Sequence, residues 1–305
     1  MQLDRTDLSI LRATEWGGII SHNTALRKLK LDDAEVGRRL KRLRDEGLVK
    51  GFHASLFVPL LLGKKWVWGC ALVQTRKPDA VAQAIQARIP FVTELLFNAS
   101  LPAASGPNLS VLFYATNFTE VKRFLTEIPD IDYVEVYQIA RYDFPLAQPF
   151  SSDENKLLQT IVAHPDASLA ELAGFVRKPE DWTQAKLDRL VWDPENPNGV
   201  ILVIPEINWR VVENFAHVHF LLELSVSPKS VIDELAKSDL APVLGGELFR
   251  SKYLQLETDL WGFGDLLLRK DALNGVAGIH LAGLLIAEGN SVVSDWVSRL
   301  LTANG

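Results

Sequence analysis

The sequence predicts an α+β fold in which a three-helix head and a βαββαβ body follow one another twice. The chain has 305 residues, more than one domain usually holds. Helix-capping patterns and helical apolar spacing recur after about 150 residues, as in an internal repeat. After each head, β-rich stretches alternate with amphipathic ones. We therefore expect four domains, at residues 1–56, 57–148, 149–212 and 213–305.

The composition is that of a globular protein, with 48% hydrophobic and 23% charged residues. It excludes a disordered tail protein, a collagen and a disulfide-stapled mini-protein. Cys70 is the single cysteine, which excludes an internal disulfide and a cysteine-based zinc site. No secretory leader precedes Leu3, and the apolar runs are too short for a membrane helix. We therefore expect a cytoplasmic protein with no membrane partner.

The net charge of −6 is divided unevenly between the halves. Residues 1–150 hold 19 Lys and Arg against 16 Asp and Glu, a net charge of +3. The remaining residues hold 13 against 22, a net charge of −9. A linker-like stretch with several Pro and Ser, residues 145–152, separates them. Halves of opposite sign suggest partners of unlike charge.

Each head is predicted to begin with two short helices. A capping Asp, Thr or Ser precedes the apolar residues within 8–11 and within 157–162. A second helix follows near residues 23–30 and 168–176, where Ser168 and Glu171 have the spacing of a capping box. Each head then ends in β-structure, a strand at 48–56 in the first and a hairpin-like wing at 193–204 in the second.

The third helix of each head is predicted to carry polar and basic residues away from its apolar side. In the first head it begins at Asp32 or Asp33 and ends at Gly47. Its apolar stripe comprises Val36, Leu40 and Leu43. In the second head Pro179 suits the first turn of the helix. The apolar side there comprises Leu187, Leu190 and Val191.

The bodies are predicted to be ferredoxin-like. The first has strands at 66–74, 92–99, 109–116 and 131–142, and helices at 79–88 and 119–127. The second is expected to repeat this order less clearly, with strands at 218–226, 253–261, 265–269 and 291–301, and helices at 230–237 and 272–287.

The first head opens with the pattern Leu3-Asp4-x-x-Asp7-x-x-Ile10-Leu11, and residues 36–49 read VGRRLKRLRDEGLV. These segments resemble the opening and the recognition helix of the Lrp/AsnC (feast/famine) transcriptional regulators. The resemblance implies winged helix-turn-helix heads and RAM-type bodies in tandem. It also implies transcription regulation through double-stranded DNA. The bodies would pair sheet to sheet, in a homodimer or in a pseudo-dimer within one chain.

Basic residues concentrate between Arg27 and Lys50, where nine Lys and Arg accompany five acidic residues. Arginine can fork onto phosphates and guanine edges, and Gly37 would let the helix backbone approach a groove closely. The DNA-binding residues predicted in this head are Lys28, Lys30, Gly37, Arg38, Arg39, Lys41, Arg42 and Arg44. The alternative is a solvated face whose cations pair with Glu35, Asp45 or Glu46.

Acidic residues at the openings of both third helices weaken the DNA-binding hypothesis, since carboxylates repel phosphate. The first opening reads Asp32-Asp33-Ala34-Glu35, and the second contains Glu180 and Asp181. The candidate DNA contacts in the second head are Gln184, Lys186 and Arg189. Its acidic setting favours packing or dimerisation there. A protein-interaction module that has lost DNA binding is therefore an alternative function.

Residues 253–270 are similar to the family's strand, Gly-Asp turn and following strand. The resemblance implies that this region binds a small effector such as an amino acid. The effector-binding residues predicted on this basis are Gly262, Gly264 and Asp265. The matching turn of the first half, residues 103–108, has lost the Gly-Asp pattern.

Enzymatic motifs are largely missing from the sequence, and we expect no catalytic residue, cofactor or metal. His217 and His219 would project from one side of a strand, but a metal needs further ligands that the sequence cannot place. We therefore expect a surface or core-edge position for this pair. The sequence has no Gly-rich phosphate loop, nucleophile elbow or HExxH motif.

The enzymatic alternative is a siroheme decarboxylase, because residues 92–115 resemble the central segment of those related proteins. That chemistry is implied to need His and Arg near a tetrapyrrole. The chain has His53 at the junction of head and body, but the segment offers Glu94, Phe97 and Asn98 instead. A pocket without cations suits a polyanionic porphyrin poorly, so the sequence favours the regulator.

Overall fold

The computed structural model describes residues 1–15, 26, 28–63, 65–101, 106–139, 150–192, 196, 198–235, 246–248 and 253–303. The elements of the first half are α1 (Arg5–Glu15), α2 (Asp33–Asp45), β1 (Val49–Leu56), α3 (Val58–Leu62), β2 (Val67–Thr75), α4 (Pro78–Arg88), β3 (Val92–Leu101), β4 (Leu109–Ala115), α5 (Phe118–Thr126) and β5 (Ile131–Gln138). The elements of the second half are α6 (Ser152–Ala163), α7 (Leu169–Val176), α8 (Glu180–Leu190), β6 (Ile201–Ile207), β7 (Ala216–Leu224), α9 (Pro228–Leu235), β8 (Gly246–Leu248), β9 (Tyr253–Leu260), α10 (Phe263–Asn274), β10 (Ile279–Val292) and α11 (Asp295–Ala303).

The strands of both bodies form one eight-stranded sheet in the order β5-β2-β4-β3-β10-β7-β9-β8. Within each half the order is fourth, first, third and second strand, as in a ferredoxin-like unit. The halves meet where β3 pairs antiparallel with β10, from Glu94 opposite Val292 to Leu101 opposite Leu284. The predicted α+β class, with helix-turn-helix and ferredoxin-like parts, is confirmed. The bodies join edge to edge within the chain, and their inner faces also pack against each other, with Cys70 of the first body and Leu285 of the second in one apolar cluster.

The sheet curls strongly. The ring centroids of Tyr137 on β5 and Tyr253 on β9 lie 5.9 Å apart. In a flat sheet, six strand spacings of about 4.8 Å would separate these strands by roughly 29 Å. The inner face therefore closes on itself around residues such as Cys70 and Leu285. Helices of the two bodies cover the outer face, over cores that contain Phe113 and Phe220.

The two heads share one core. β1 pairs antiparallel with β6, from Val49 opposite Ile207 to Leu56 opposite Ile201. Buried residues of both heads and of α11 belong to one contiguous apolar cluster; they include Leu43, Leu158 and Trp296. The strand β6 of the second head thus pairs with β1 of the first head. The sequence predicted a hairpin-like wing in this part of the second head. Residues 193–195 and 197 of that wing lie outside the described part of the chain.

The second body departs from its predicted boundaries. Residues 265–269, predicted as a strand, lie within α10, and residues 279–287 of the predicted helix lie in β10. Residues 295–301 of the predicted last strand lie in α11. The prediction omitted the short strand β8. As a result β9 was taken for the second strand of the body, α10 for the third strand, β10 for the second helix and α11 for the last strand. Periodicity could not correct this, because the apolar run 281–287 fits a buried helix as well as a buried strand.

Parts of some predicted elements fall outside the described residues. Of the helix predicted at residues 23–30, only residues 26 and 28–30 are described, and 26 and 28 are helical. The first part of the turn at 102–108 and the linker at 145–149 also lie outside them. The predicted domain boundaries therefore stay predictions.

Gly69 on β2 has little room for a side chain. A Cβ atom there would clash with Cε1 of Phe118 and lie 2.7 Å from Cζ of Phe113. We expect Gly69→Ala to lower the free energy of unfolding by about 1–3 kcal/mol, because a packed aromatic ring must move. Urea unfolding followed by circular dichroism measures the loss. Gly174→Ala is the control, since its new Cβ would meet no described atom within 4 Å; equal losses in both variants would contradict the prediction.

Candidate nucleic-acid interface

Asp7 connects the first and the basic helix of the first head. Its carboxylate is buried, with 1% of the side chain exposed, and it pairs with Arg39 Nη1 at 2.8 Å and with Arg42. Its Oδ2 also accepts a hydrogen bond from the backbone N–H of Asp4, while Asp4 Oδ1 accepts one from the backbone N–H of Asp7. Asp7 thus caps α1 and pairs with two cations of α2.

The acidic network around these arginines extends to Glu35 on α2. Arg39 Nε donates to Glu35 Oε1 at 2.5 Å, and its Nη1 also donates to Asp4 at 2.8 Å. Hydrogen bonds to Asp4, Glu35 and Asp7 raise the pKa of Arg39 above its ordinary value. Hydrogen bonds from Arg38 and Arg39 lower the pKa of Glu35. Both shifts favour the charged forms of Arg39 and Glu35.

Arg38 and Lys41 occupy the exposed face of α2. Their side chains are 63% and 75% exposed, and their ion partners lie on the same helix: Glu35 at 2.7 Å and Asp45 at 2.5 Å. Exposed pairs of this kind contribute about 0–1 kcal/mol. Breaking a buried pair such as that of Asp7 costs about 3–5 kcal/mol. Arg38 and Lys41 can therefore exchange their ion partners at a small cost in free energy, whereas Arg39 and Arg42 cannot.

The other predicted residues of the first head lie around this face. Arg44 pairs with Asp166 of the second head at 3.1 Å and lies over the ring of Phe52. Gly37 is exposed in the middle of α2, where an added Cβ would meet no described atom within 4 Å. Lys28 and Lys30 are exposed before the helix. Arg44 thus helps to hold the two heads together.

Glu154 has the position in the second head that Asp7 has in the first. It closes a capping box with Ser151 at the start of α6, and its side chain is 5% exposed. Its Oε1 lies 3.0 Å from Lys186 Nζ and 2.6 Å from Arg189 Nη2. Burial raises the pKa of Glu154, but hydrogen bonds from Ser151 and Lys186 outweigh burial and lower it.

The two heads correspond residue by residue at this site. Glu154, Lys186 and Arg189 each follow Asp7, Arg39 and Arg42 by 147 residues. The same interval relates the exposed cations of α2, Arg38 and Lys41, to Ala185 and Asp188 on α8. Gln184, which corresponds to Gly37, donates to Asp188 at 3.1 Å. The second head therefore keeps the internal ion pairs and lacks the outward cations.

The predicted effector residues lie at a strand-to-helix junction, where a turn between two strands was expected. Gly262 precedes α10 with φ of 84°. The carboxylate of Asp265 accepts a hydrogen bond from the backbone N–H of Trp261 at 2.8 Å. An anionic group at this helix start is thus already supplied by the chain itself. The effector role of Gly262, Gly264 and Asp265 stays a prediction.

Phe97 and Asn98, considered for enzymatic chemistry, line a cavity of about 370 Å³ together with Lys50, Glu206 and Arg210. His53 pairs with Glu206 at 3.3 Å on the β1–β6 ribbon. Asn98 donates to Ser110 at 3.1 Å within the sheet. Among the described residues of 92–101, no cation is present. The tetrapyrrole alternative stays a prediction.

The histidine pair lies deeper than expected. His217 and His219 are 5% and 2% exposed, so a surface position is wrong. Their partners come from the neighbouring strand β9, on the inner face of the sheet. Sequence reasoning missed this polar group and the roles of Asp7 and Glu154. A signal for the latter existed, because each acid precedes its two cations by 32 and 35 residues.

None of the helices in the described part of the chain is both long and apolar enough to cross a membrane.

Comparison with known proteins gives two curated relatives. No protein-family model matches the chain. Over 54 residues it is 41% identical to the HTH-type transcriptional regulator Ptr1 of Methanocaldococcus jannaschii, a match that covers 18% of this chain and 36% of Ptr1. Over 129 residues it is 26% identical to the transcriptional regulatory protein DoeX of Halomonas elongata, a match that covers 42% of this chain and 78% of DoeX. The chain thus spans little more than a third of Ptr1.

Solved structures align over longer stretches. The siroheme decarboxylase NirDL aligns with 98% of this chain and 97% of its own, at 13% identity and a TM-score of 0.48. AsnC of E. coli aligns with 48% of this chain and 99% of its own, at 11% identity and a TM-score of 0.29. The proteins similar to this chain therefore include both families that its sequence resembles, transcriptional regulators of the Lrp/AsnC type and siroheme decarboxylases.

Proposed function

We propose that the chain is a transcriptional regulator that binds double-stranded DNA through the exposed face of α2 in its first head. Arg38 and Lys41 are the side chains that contact DNA, with Gly37 on the same face. Arg39 and Arg42 hold the helix in place through Asp7. The curated relatives, both transcriptional regulators, support this assignment.

One observation carries the proposal: the basic residues of α2 fall into two sets with different partners. Arg39 and Arg42 pair with the buried carboxylate of Asp7 and with further acidic groups of the head, so most of their charge is already neutralised there. Arg38 and Lys41 point to solvent and hold only weak intrahelical pairs. A phosphate that displaces Glu35 or Asp45 from them gains a charge-assisted hydrogen bond at little cost.

The second head contributes packing and not DNA contacts in this proposal. Its Lys186 and Arg189 compensate Glu154. The positions that match Arg38 and Lys41 are Ala185 and Asp188, which offer no cation to phosphate. The ribbon of β1 and β6 holds this head against the first, which gives a pseudo-dimer of unlike heads within one chain. Modulation by a small effector and pairing of two chains are further parts of the proposal.

A mobility-shift assay on the full chain tests the assignment. Short random-sequence duplexes are mixed with the wild type and with the double variant Arg38→Ala plus Lys41→Ala over a series of salt concentrations. We expect the wild type to lose affinity steeply as salt rises, because each neutralised phosphate releases counterions. The double variant should reduce the salt slope by about 2, since each lost phosphate contact lowers it by about 1.

The matched control is Lys122→Ala plus Arg123→Ala on α5. It removes the same charge from another exposed helix, so that a general electrostatic effect would appear in both variants. The control should bind DNA like the wild type. If the wild type does not bind even at low salt, or if both double variants lose affinity equally, the proposal is wrong.

Gly37→Ala gives a second test with opposite effects on stability and binding. Glycine within a helix is less favourable than alanine by about 0.5–1 kcal/mol, and the site has room for a methyl group. We therefore expect a higher free energy of unfolding together with weaker DNA binding, because the methyl group would keep the backbone from the groove. Thermal unfolding and the same shift assay measure the two effects. Unchanged DNA affinity would show that α2 does not approach DNA at this point.

A further inference from the structure

A buried polar group lies on the inner face of the second body, far along the chain from the basic helix. His217 and His219 project from β7, and Glu257 projects from the neighbouring strand β9, directly opposite His219. All three are less than 10% exposed. One donor atom from each lies within 4.8 Å of the others. Two imidazoles and a carboxylate thus converge on one small volume inside the protein.

One ring nitrogen of His219 makes no hydrogen bond within the described part of the chain. Its Nδ1 lies 2.6 Å from the amide of Gln255. Its Nε2 is buried and has no hydrogen-bond partner among the residues that the structure describes. The nearest acidic atom, Glu257 Oε1, is 3.9 Å away, too far for a hydrogen bond. A buried polar atom left in this way is uncommon in proteins and calls for a partner that the described residues do not provide.

His217 is held by two neighbours, Asp259 of β9 and Trp209. Its Nδ1 lies 2.9 Å from Oδ1 of Asp259, and Oδ2 of Asp259 accepts a hydrogen bond from Arg12 of α1 at 2.7 Å. The ring of Trp209 stacks on the imidazole, with centroids 5.1 Å apart. With Nδ1 bound to Asp259, the ring would offer Nε2 to a ligand. A carboxylate on the far nitrogen of a histidine is the usual support for a metal-binding imidazole.

We propose that His217, His219 and Glu257 bind a divalent first-row transition-metal ion, with Zn²⁺ as its representative. Two histidines and one carboxylate are a known protein ligand set for Zn²⁺, with a fourth position open. Asp259 and Gln255 are positioning residues that orient the two rings. Turning the Gln255 amide by half a rotation would place its oxygen where it accepts from the Nδ1–H of a metal-bound His219.

The geometry needs only a small side-chain adjustment. Ligands at about 2.0–2.2 Å from tetrahedral Zn²⁺ lie about 3.4 Å from one another. The donors lie within 4.8 Å of one another, so side-chain movements that bring them closer by at most about 1.4 Å suffice. Imidazole ligands favour Zn²⁺ and its neighbours over Mg²⁺ and Ca²⁺, which prefer oxygen. The ion would also satisfy the buried Nε2 of His219.

Titration of the chelator-treated full chain with Zn²⁺ tests the proposal in the absence of DNA. Isothermal calorimetry should give one ion per chain for the wild type, and Zn²⁺ should raise its Tm. Co²⁺ in place of Zn²⁺ should produce visible d–d absorption bands of a low-symmetry site. Because DNA is absent, failure here leaves the regulator assignment intact, and failure to bind DNA leaves this one intact.

Variants assign the ion to these ligands. Glu257→Gln preserves the shape of the side chain but removes its charge, and His219→Ala removes the unpartnered nitrogen; both should abolish the Co²⁺ bands and the Tm increase. Asp259→Asn should weaken binding by about 10- to 100-fold without abolishing it, as expected of a positioning residue. His280→Ala, on the exposed side of β10, is the matched control and should bind like the wild type.

The outcome is decisive even if one variant folds poorly. Circular dichroism identifies such a variant. If Glu257→Gln or His219→Ala folds poorly, the other of the two variants carries the test. A wild type that binds no Zn²⁺ at micromolar concentration overturns the proposal. It is equally overturned if folded Glu257→Gln and His219→Ala retain the stoichiometry and absorption of the wild type.

Discussion

Replacing Asp7 with alanine should lower the free energy of unfolding by about 3 kcal/mol. Removing one partner of a buried ion pair costs about 3–5 kcal/mol, and the lower end applies because Arg39 and Arg42 retain some exposure, 17% and 35%. The variant also loses the carboxylate that caps the first turn of α1. Urea unfolding of the full chain, followed by circular dichroism, measures the change.

Two further variants separate the contributions of Asp7. Asp7→Asn keeps a hydrogen-bond acceptor for the cap but loses the charge, and we expect an intermediate loss. Asp45→Ala removes a carboxylate of the same helix whose partner, Lys41, is exposed, and it should change stability by less than about 1 kcal/mol. If Asp7→Ala is no more destabilising than Asp45→Ala, then the buried pair does not hold α1 against α2.

DNA affinity should distinguish the same two variants, Asp7→Ala and Asp45→Ala. Asp7→Ala loosens the helix that carries Arg38 and Lys41, so its affinity for DNA should fall although no side chain on the exposed face has changed. Asp45→Ala removes a competitor for Lys41, so its affinity should rise slightly. Both variants lose one negative charge, so a uniform electrostatic effect would change their DNA affinities in the same direction. Changes in opposite directions would show that Asp7 acts by positioning α2.

Much of the fold could be predicted because its signals are local. Capping residues and apolar spacing mark helices such as α7, where Ser168 and Glu171 form the predicted capping box. The second body failed where local signals are ambiguous. β8 has three residues, and the long strand β10 is apolar enough to resemble a helix. Which strands pair is a non-local property, so the joining of β3 to β10 had no signature in the sequence.

The candidate interface was predicted in outline and not in detail. The concentration of cations in α2 is visible in the sequence, but their availability depends on what lies behind the helix. Arg42 and Lys41 are neighbours in the chain, yet one contacts a buried carboxylate and the other solvent. Likewise, His217 and His219 could be recognised as a pair, whereas Glu257 joins them only through the register of β7 and β9.

Glu154→Ala should destabilise the chain by about 2 kcal/mol and leave DNA affinity unchanged. The loss combines a capping-box contribution of about 1 kcal/mol with the ion pairs to Lys186 and Arg189. It should be smaller than that of Asp7→Ala, because these cations are 32% and 45% exposed and can turn to water. Urea unfolding and the mobility-shift assay measure the two properties. A loss of DNA affinity equal to that of Asp7→Ala would assign DNA contact to the second head.

The stabilisation by Glu154 should also depend on pH in a defined direction. Its pKa in the folded chain is lowered from the ordinary value of 4.5, because hydrogen bonds from Ser151 and Lys186 outweigh burial. The folded state therefore favours the charged form, and this stabilisation is fully present above about pH 4.5 and lost as pH falls through the lowered folded-state pKa. The difference in unfolding free energy between the wild type and Glu154→Gln should accordingly be constant near neutral pH and shrink below pH 4.5. A difference that grew on acidification would mean that burial, which favours the neutral acid, outweighs the ion pairs.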